Sequence, residues 1–267
     1  MLEEKEMSAD DIKPRVEDHI LEVIIDRPKA NAIDRATSIR MGEIFSNYRD
    51  NPELRVAILT GGGNKFFSAG WDLKAAAGGE EVDGDYGVGG FGGIQELENF
   101  NKPIICAVNG ICCGGGLEIA LCGDIIIASE GASFALPEIR SGTIADAASI
   151  KLPKRIPYHI AMEMLLTGRW MDTNEAWQRG FVNEVVSADK LMDRSWELAR
   201  LIGTGPPLVY AAIKEVVREA ENMRFLDALQ KITQSEFGTV ETLYKSEDQL
   251  EGASAFAEKR DPVWKGR

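Results

Sequence analysis

Histidine is nearly absent from this chain. His19 and His159 are the two in 267 residues, and neither lies near a partner motif. A histidine-centred triad or a metal site therefore has little to be built from. Long apolar runs are missing too: none approaches the ~20 residues that a membrane helix requires, so no membrane partner is expected. Basic residues are in deficit, 30 against 43 acidic, for a formal charge of −13. That balance argues against a general nucleic-acid surface but leaves room for a local basic site for an anion. Cysteine is confined to Cys106, Cys112, Cys113 and Cys122 inside one apolar stretch, without the Cys-x-x-Cys spacing of a zinc site. Buried, reduced thiols in a cytoplasmic protein are the expectation. The opening MLEEKEMSADDIK is too acidic and polar for a secretory signal.

What is present is concentrated between Asn109 and Glu138. The apolar run Ile104 to Val108 reads as a buried strand ending at Asn109-Gly110. Gly114-Gly115-Gly116 precede a helix beginning at Leu117, and Ile125 to Ala128 reads as the next strand. Glycines before a helix let a reacting group approach the backbone, where first-turn N–H groups lack helical partners. Such groups can hold an oxygen that is gaining negative charge. A lone glutamate at a helix start is ordinarily a dipole partner. Glu118, on the first turn among apolar neighbours, and Glu138, after Phe134-Ala135-Leu136-Pro137, instead make a pair. An anion hole with two semi-buried carboxylates is equipment for proton transfer next to a carbonyl.

The rest of the chain frames this unit. Residues 1–16 read as a polar leader, and His19 to Ile25 as the first strand. Asp26 to Ala32 is a turn-rich connection with two basic side chains. Met41, Ile44, Phe45 and Tyr48 mark one face of a helix, and Val56 to Thr60 a buried strand. Ala75 to Gly93, rich in glycine and acidic residues, reads either as a loop over a pocket or as a surface excursion. Strands and helices alternate to about residue 186, and helices alone follow, with apolar faces at Leu191 to Ile202, Val209 to Val216 and Phe225 to Ile232. The reading is an α/β core, 17–186, with a helical C-terminal segment, 187–267, expected to serve oligomerisation.

Taken together, DRPKANAID, FFSAGWDLK, AVNG…GGGLEIAL, FALPEI, LTGRWMDTNEA and AFAEKR, in this order, resemble the crotonase (enoyl-CoA hydratase/isomerase) superfamily across residues 17–267. Asp26 to Asp34, Ala69 to Ala77 and the ending AFAEKRDPVWKGR are similar to its carnitinyl-CoA branch. The resemblance implies a spiral of ββα units, a homotrimer or dimer of trimers, and an acyl-CoA substrate that carries coenzyme A as part of itself, with no separate cofactor. It implies that Trp71 and Gly115 supply the two oxyanion-hole N–H groups. It makes Glu118 and Glu138 the catalytic pair of a hydratase, Glu118 handling water and Glu138 the proton at C2. Ala30, Ala69, Lys74, Phe256 and Lys259 match coenzyme A or substrate positions, the last two donated by a neighbouring subunit.

One run departs from the family. Where Pro-Gly-x-Gly-Gly is usual, this chain has Ala145-Asp146-Ala147-Ala148-Ser149; the carnitinyl-CoA branch shares the aspartate but keeps the later glycines. Asp146 is thereby a candidate for the far end of the acyl pocket, or else a helix cap or a residue that orients the catalytic water. Three readings stand: a hydratase/dehydratase acting on carnitinyl-CoA and crotonobetainyl-CoA, another enoyl-CoA reaction such as general hydration or isomerisation, and a non-catalytic acyl-CoA-binding relative.

Overall fold

A computed structural model describes residues 11–267. Of the leader expected at 1–16, residues 1–10 lie outside the described residues, and 12–16 belong to a strand. β1 (Ile12–Glu17) pairs antiparallel with β2 (Ile20–Ile25), Val16 opposite Leu21, across a turn at Asp18. A single strand with mostly exposed residues shows no apolar period, so only its pairing reveals it.

A repeating unit then runs through the chain: a longer strand, a short strand, a helix. β2 is followed by β3 (Ala32–Ile33) and α1 (Arg35–Asp50). β4 (Val56–Gly61) is followed by β5 (Phe66–Ser68), β6 (Gly70–Trp71) and α2 (Leu73–Ala77). β7 (Ile104–Val108) is followed by β8 (Ile111–Cys113) and α3 (Gly115–Ala120). β9 (Ile125–Ser129) is followed by β10 (Ser133–Ala135), α4 (Asp146–Lys151) and α5 (Tyr158–Thr167). β11 (Trp170–Asp172), α6 (Thr173–Gln178) and β12 (Glu184–Val186) close the core. β1-β2-β4-β7-β9-β12 form one sheet, β11-β10-β8-β5 a second, and β3-β6 a two-stranded third. From β4 to β10 each turn of the chain adds one strand to each of the two larger sheets, which is the expected spiral of ββα units.

Parity explains why the large sheet is buried on both faces. Ala57 and Leu59 of β4, with Cys106 and Val108 of β7, face the core that contains α1 and α3. Val56 and Ile58, with Ile105 and Ala107, face the other way onto Leu191, Trp196 and Ala199 of α7 (Leu191–Gly203). A parallel strand covered on both sides reads as an unbroken apolar run, as β4 and β7 do. So α7, though inside the 187–267 segment expected to serve oligomerisation, is a layer of the core. Beyond it, α8 (Pro207–Ala220), α9 (Phe225–Thr233) and α10 (Gly238–Tyr244) build their own small cluster around Ala212, Phe237 and Val240, and α11 (Asp248–Glu258) follows. Among the described residues no helix is long and apolar enough to cross a membrane.

Candidate active site

The short strand β6 runs against the start of α3. Gly70 has φ +82°, and a Cβ there would stand 2.5 Å from the Gly115 nitrogen and 2.9 Å from the Cys113 oxygen. Only a residue without a side chain lets the two backbones come this close. β6 is held from several sides. Its partner is β3, Ile33 beside Trp71, and the Gly70 N–H donates to Ser68 Oγ at 3.0 Å. Ser68 Oγ in turn donates to the Asn31 carbonyl at 2.7 Å. Arg27 ties down the flanks: it donates to Asp34 at 2.6 Å and Asp72 at 2.7 Å, the N-caps of α1 and α2. One of the two basic residues of the 26–32 turn is thus spent inside the protein. On the other side of the approach Gly115 opens α3, where a first-turn N–H has no helical acceptor.

Glu118, Glu138, Trp71, Gly115 and Asp146, five residues singled out from the sequence, line one cavity of about 70 Å³. Glu118 is 7% exposed, on the first turn of α3. Its Oε1 accepts the Ala148 N–H at 2.9 Å, so the unusual 145–149 run contributes a backbone donor through α4. Burial raises the Glu118 pKa and the neighbouring Asp146 charge adds to the rise, while the Ala148 N–H opposes it. Glu138 sits on a 3₁₀ turn, Pro137–Arg140, beside Gly114, and its buried Oε2 has no hydrogen-bond partner. Burial, with smaller contributions from Glu118 and Asp146, pushes its pKa up to about 7. Two carboxyls titrating above the ordinary range, one close to neutrality, can divide the roles of base and acid.

A stability consequence follows from the same shift. The folded pKa of Glu138, about 7, lies above the ordinary 4.5. The neutral form is favoured by folding, so its contribution is full below 4.5 and is lost as pH rises through 7. Glu138→Gln is therefore expected to melt at a higher temperature than the wild type above pH 7 and to converge with it below 4.5. Thermal melts across that range test this; a variant that melts lower at alkaline pH contradicts it.

The 75–93 segment is a cover over this cavity, and it contributes residues that the sequence reading did not single out. Val82, Tyr86 and Phe91 line the cavity alongside Trp71. Phe91 packs on Gly115, where a Cβ would lie 2.4 Å from its ring. Glu80 Oε1 accepts the Trp71 indole N–H at 2.9 Å, and its Oε2 accepts the Arg35 N–H at 3.1 Å. The Gly-rich composition hid this, because no periodicity marks a loop whose order comes from long-range hydrogen bonds.

The remaining candidates do not line the cavity. Ala30 and Ala69 are joined backbone to backbone (Ala69 N–H to Ala30 O, 3.0 Å) just before β6. Lys74 is exposed on α2. Phe256, 87% exposed on α11, and Lys259, the residue ending it, stand on the outer surface of the C-terminal helices. Cys106, Cys112 and Cys113 are buried and unpaired, Cys122 is half-buried, and burial raises the thiol pKa of Cys113 to about 11.

Known proteins resemble this chain throughout. The family model described as enoyl-CoA hydratase/isomerase matches residues 15–267. A carnitinyl-CoA dehydratase of Citrobacter koseri is 53% identical over 249 residues, covering 93% of this chain and 95% of that protein. A crystal structure of an enoyl-CoA hydratase from Mycobacterium tuberculosis superposes with a TM-score of 0.86 at 36% identity, covering 96% of this chain and 99% of the other. One from Bacillus anthracis gives 0.87 at 32% identity, covering 96% and 100%.

Proposed function

We propose, since the chain belongs to the enoyl-CoA hydratase/isomerase family, that it is a hydro-lyase adding water reversibly to a 2,3-unsaturated acyl-CoA, with crotonobetainyl-CoA and carnitinyl-CoA as its substrate pair. The convergence of Glu118 and Glu138 on the cavity beside Trp71 and Gly115 carries this reading. The 53% identity to a carnitinyl-CoA dehydratase supports the choice of acyl group.

In this reading the thioester oxygen lies between the Trp71 and Gly115 N–H groups, which hold the enolate that forms when water attacks C3. Glu118 accepts a proton from the attacking water, and Glu138 delivers one to C2. The reverse direction exchanges those tasks, as the principle of microscopic reversibility demands. Each oxyanion donor stabilises the transition state by ~3–4 kcal/mol, because it is aimed before charge develops. Coenzyme A enters as part of the substrate, with Ala30, Ala69 and Lys74 on its path. The two glutamates favour hydration over isomerisation, which can run on one proton carrier. Purified protein given crotonyl-CoA and crotonobetainyl-CoA side by side, with product identified by mass spectrometry, tests the proposal. Hydration of either supports the hydro-lyase reading, and preference for the second supports the substrate. A shifted double bond would indicate isomerisation, and binding without turnover an acyl-CoA-binding protein.

The same reading makes the protein a homotrimer or dimer of trimers in the cytoplasm, with no nucleic-acid or membrane partner. Phe225 and Leu226 on α9 are 76% and 71% exposed, and Phe256 on α11 more so, which is apolar area suited to a neighbouring subunit. Phe256 and Lys259 would then reach the neighbour's coenzyme A. Light scattering is expected to give three or six subunits; a stable monomer at micromolar concentration overturns the assembly.

A further inference from the structure

The cavity holding the paired glutamates carries fixed charge of one sign. Glu118, Glu138 and Asp146 line it, and no lysine, arginine or histidine does. Water addition employs the first two, which leaves Asp146 unaccounted for. Asp146 does not cap α4: the cap position is Ala145, and the Asp146 side chain makes no hydrogen bond or ion pair among the described residues. Its charge also works against both glutamates, raising their pKa values. Asp146 is exposed, so water screens it, but it adds to a field of one sign that an arriving cation would offset.

Three aromatic rings share the wall with Val82, Gln95, Gly115, Thr143 and Ile144. Tyr86 and Phe91 meet edge to face, with ring centres 5.6 Å apart, and Trp71 lines the same cavity. Their polar edges are already engaged within the 75–93 cover. The Tyr86 hydroxyl donates to the Glu81 carbonyl at 2.9 Å, and the Trp71 indole N–H donates to Glu80. These rings thus have faces, rather than donors, left for a ligand. An anionic acyl terminus would meet three carboxylates, and a plain alkyl terminus would leave Asp146 unpaired. A quaternary ammonium suits both parts: it has no N–H to satisfy, it binds aromatic faces, and it pairs with an anion.

We propose that Asp146, with the wall formed by Trp71, Tyr86 and Phe91, selects acyl-CoA thioesters whose acyl chain ends in a quaternary ammonium group. The proposal rests on the hydro-lyase reading of the same cavity, but adds which residues recognise the acyl terminus and by what chemistry.

The test compares two saturated thioesters that cannot be hydrated, 4-trimethylammoniobutyryl-CoA and butyryl-CoA, by calorimetric titration of the full-length protein. The cationic one is expected to bind about tenfold more tightly. Asp146→Asn is expected to erase most of that preference, Asp146→Glu to restore part of it, and Tyr86→Leu to lower it in a smaller step. Because Asp146 is exposed, its variants test the idea even where Tyr86→Leu fails to fold. Turnover gives the parallel readout: the ratio of kcat/KM for crotonobetainyl-CoA over crotonyl-CoA falls in Asp146→Asn. Equal wild-type affinity for the two thioesters, or a preference that survives Asp146→Asn, overturns the proposal. A preference that depends on Asp146 with neither enoyl thioester hydrated would uphold it and overturn the hydro-lyase reading instead.

Discussion

Glu118→Gln and Glu138→Gln are each expected to lower kcat for hydration by about 10²–10⁴-fold while leaving the Kd for a saturated acyl-CoA nearly unchanged. Glutamine keeps the volume and one acceptor oxygen, so the Ala148 N–H bond to position 118 survives the first change. What disappears is the ionisable group. The two variants also differ in a second observable. Glu118 is one of the neighbours that hold the Glu138 pKa up at about 7, so Glu118→Gln should move the residual pH–rate profile governed by Glu138 to lower pH. Glu138→Gln should remove that ionisation altogether. The comparison of kcat, KM and pH dependence for the two variants checks this, and near wild-type turnover in either one would remove that glutamate from the chemistry.

Gly70→Ala is expected to cost about 10²–10³-fold in kcat, the loss associated with displacing one oxyanion donor. The added methyl would meet the Gly115 nitrogen at 2.5 Å and the Gly116 nitrogen at 3.1 Å. Both are backbone, so relief comes only by moving β6 away from α3, and that movement widens the gap between the Trp71 and Gly115 N–H groups. The alanine also carries strain of ~1–2 kcal/mol at positive φ. Gly63→Ala separates the two effects, since Gly63 has φ +74° but nothing within 4 Å of a Cβ. That control is expected to lose some stability and keep its activity. A Gly70→Ala protein with native thermal stability and undiminished kcat would mean that the thioester oxygen is held somewhere else.

The parts of this molecule visible in its amino-acid order are those whose signal is local. Val56 to Thr60 and Ile104 to Val108 declare buried strands because a strand covered on both faces needs no polar residue. Met41, Ile44, Phe45 and Tyr48 declare α1 because one helix face must be apolar; all four are buried. Gly114-Gly115-Gly116 and Glu118 mark a helix start fit for an anion because that motif spans five residues. The same stretch offers Glu138 as the partner of Glu118, and the family resemblance extends this to the ββα spiral and to Trp71.

Three-dimensional packing decided the rest. β8 and β10 have three residues each, too few to display a period, and exist as strands because each pairs with the other. β1, polar along most of its length, is a strand only because β2 offers it an edge. The helix α7 belongs to the core rather than to the outer helices because Trp196 and Ala199 meet the back of the sheet. The role of 75–93 as a cover was left open by its composition, and it was settled by Glu80, which joins Trp71 to the start of α1 across the fold. The elevated pKa of Glu138 likewise has no local cause: it comes from burial and from two carboxylates brought in by α3 and α4. Propensity and periodicity act over a few neighbouring residues, whereas desolvation, charge coupling and backbone approach depend on distances in space. The chemistry of this site is set by the second kind.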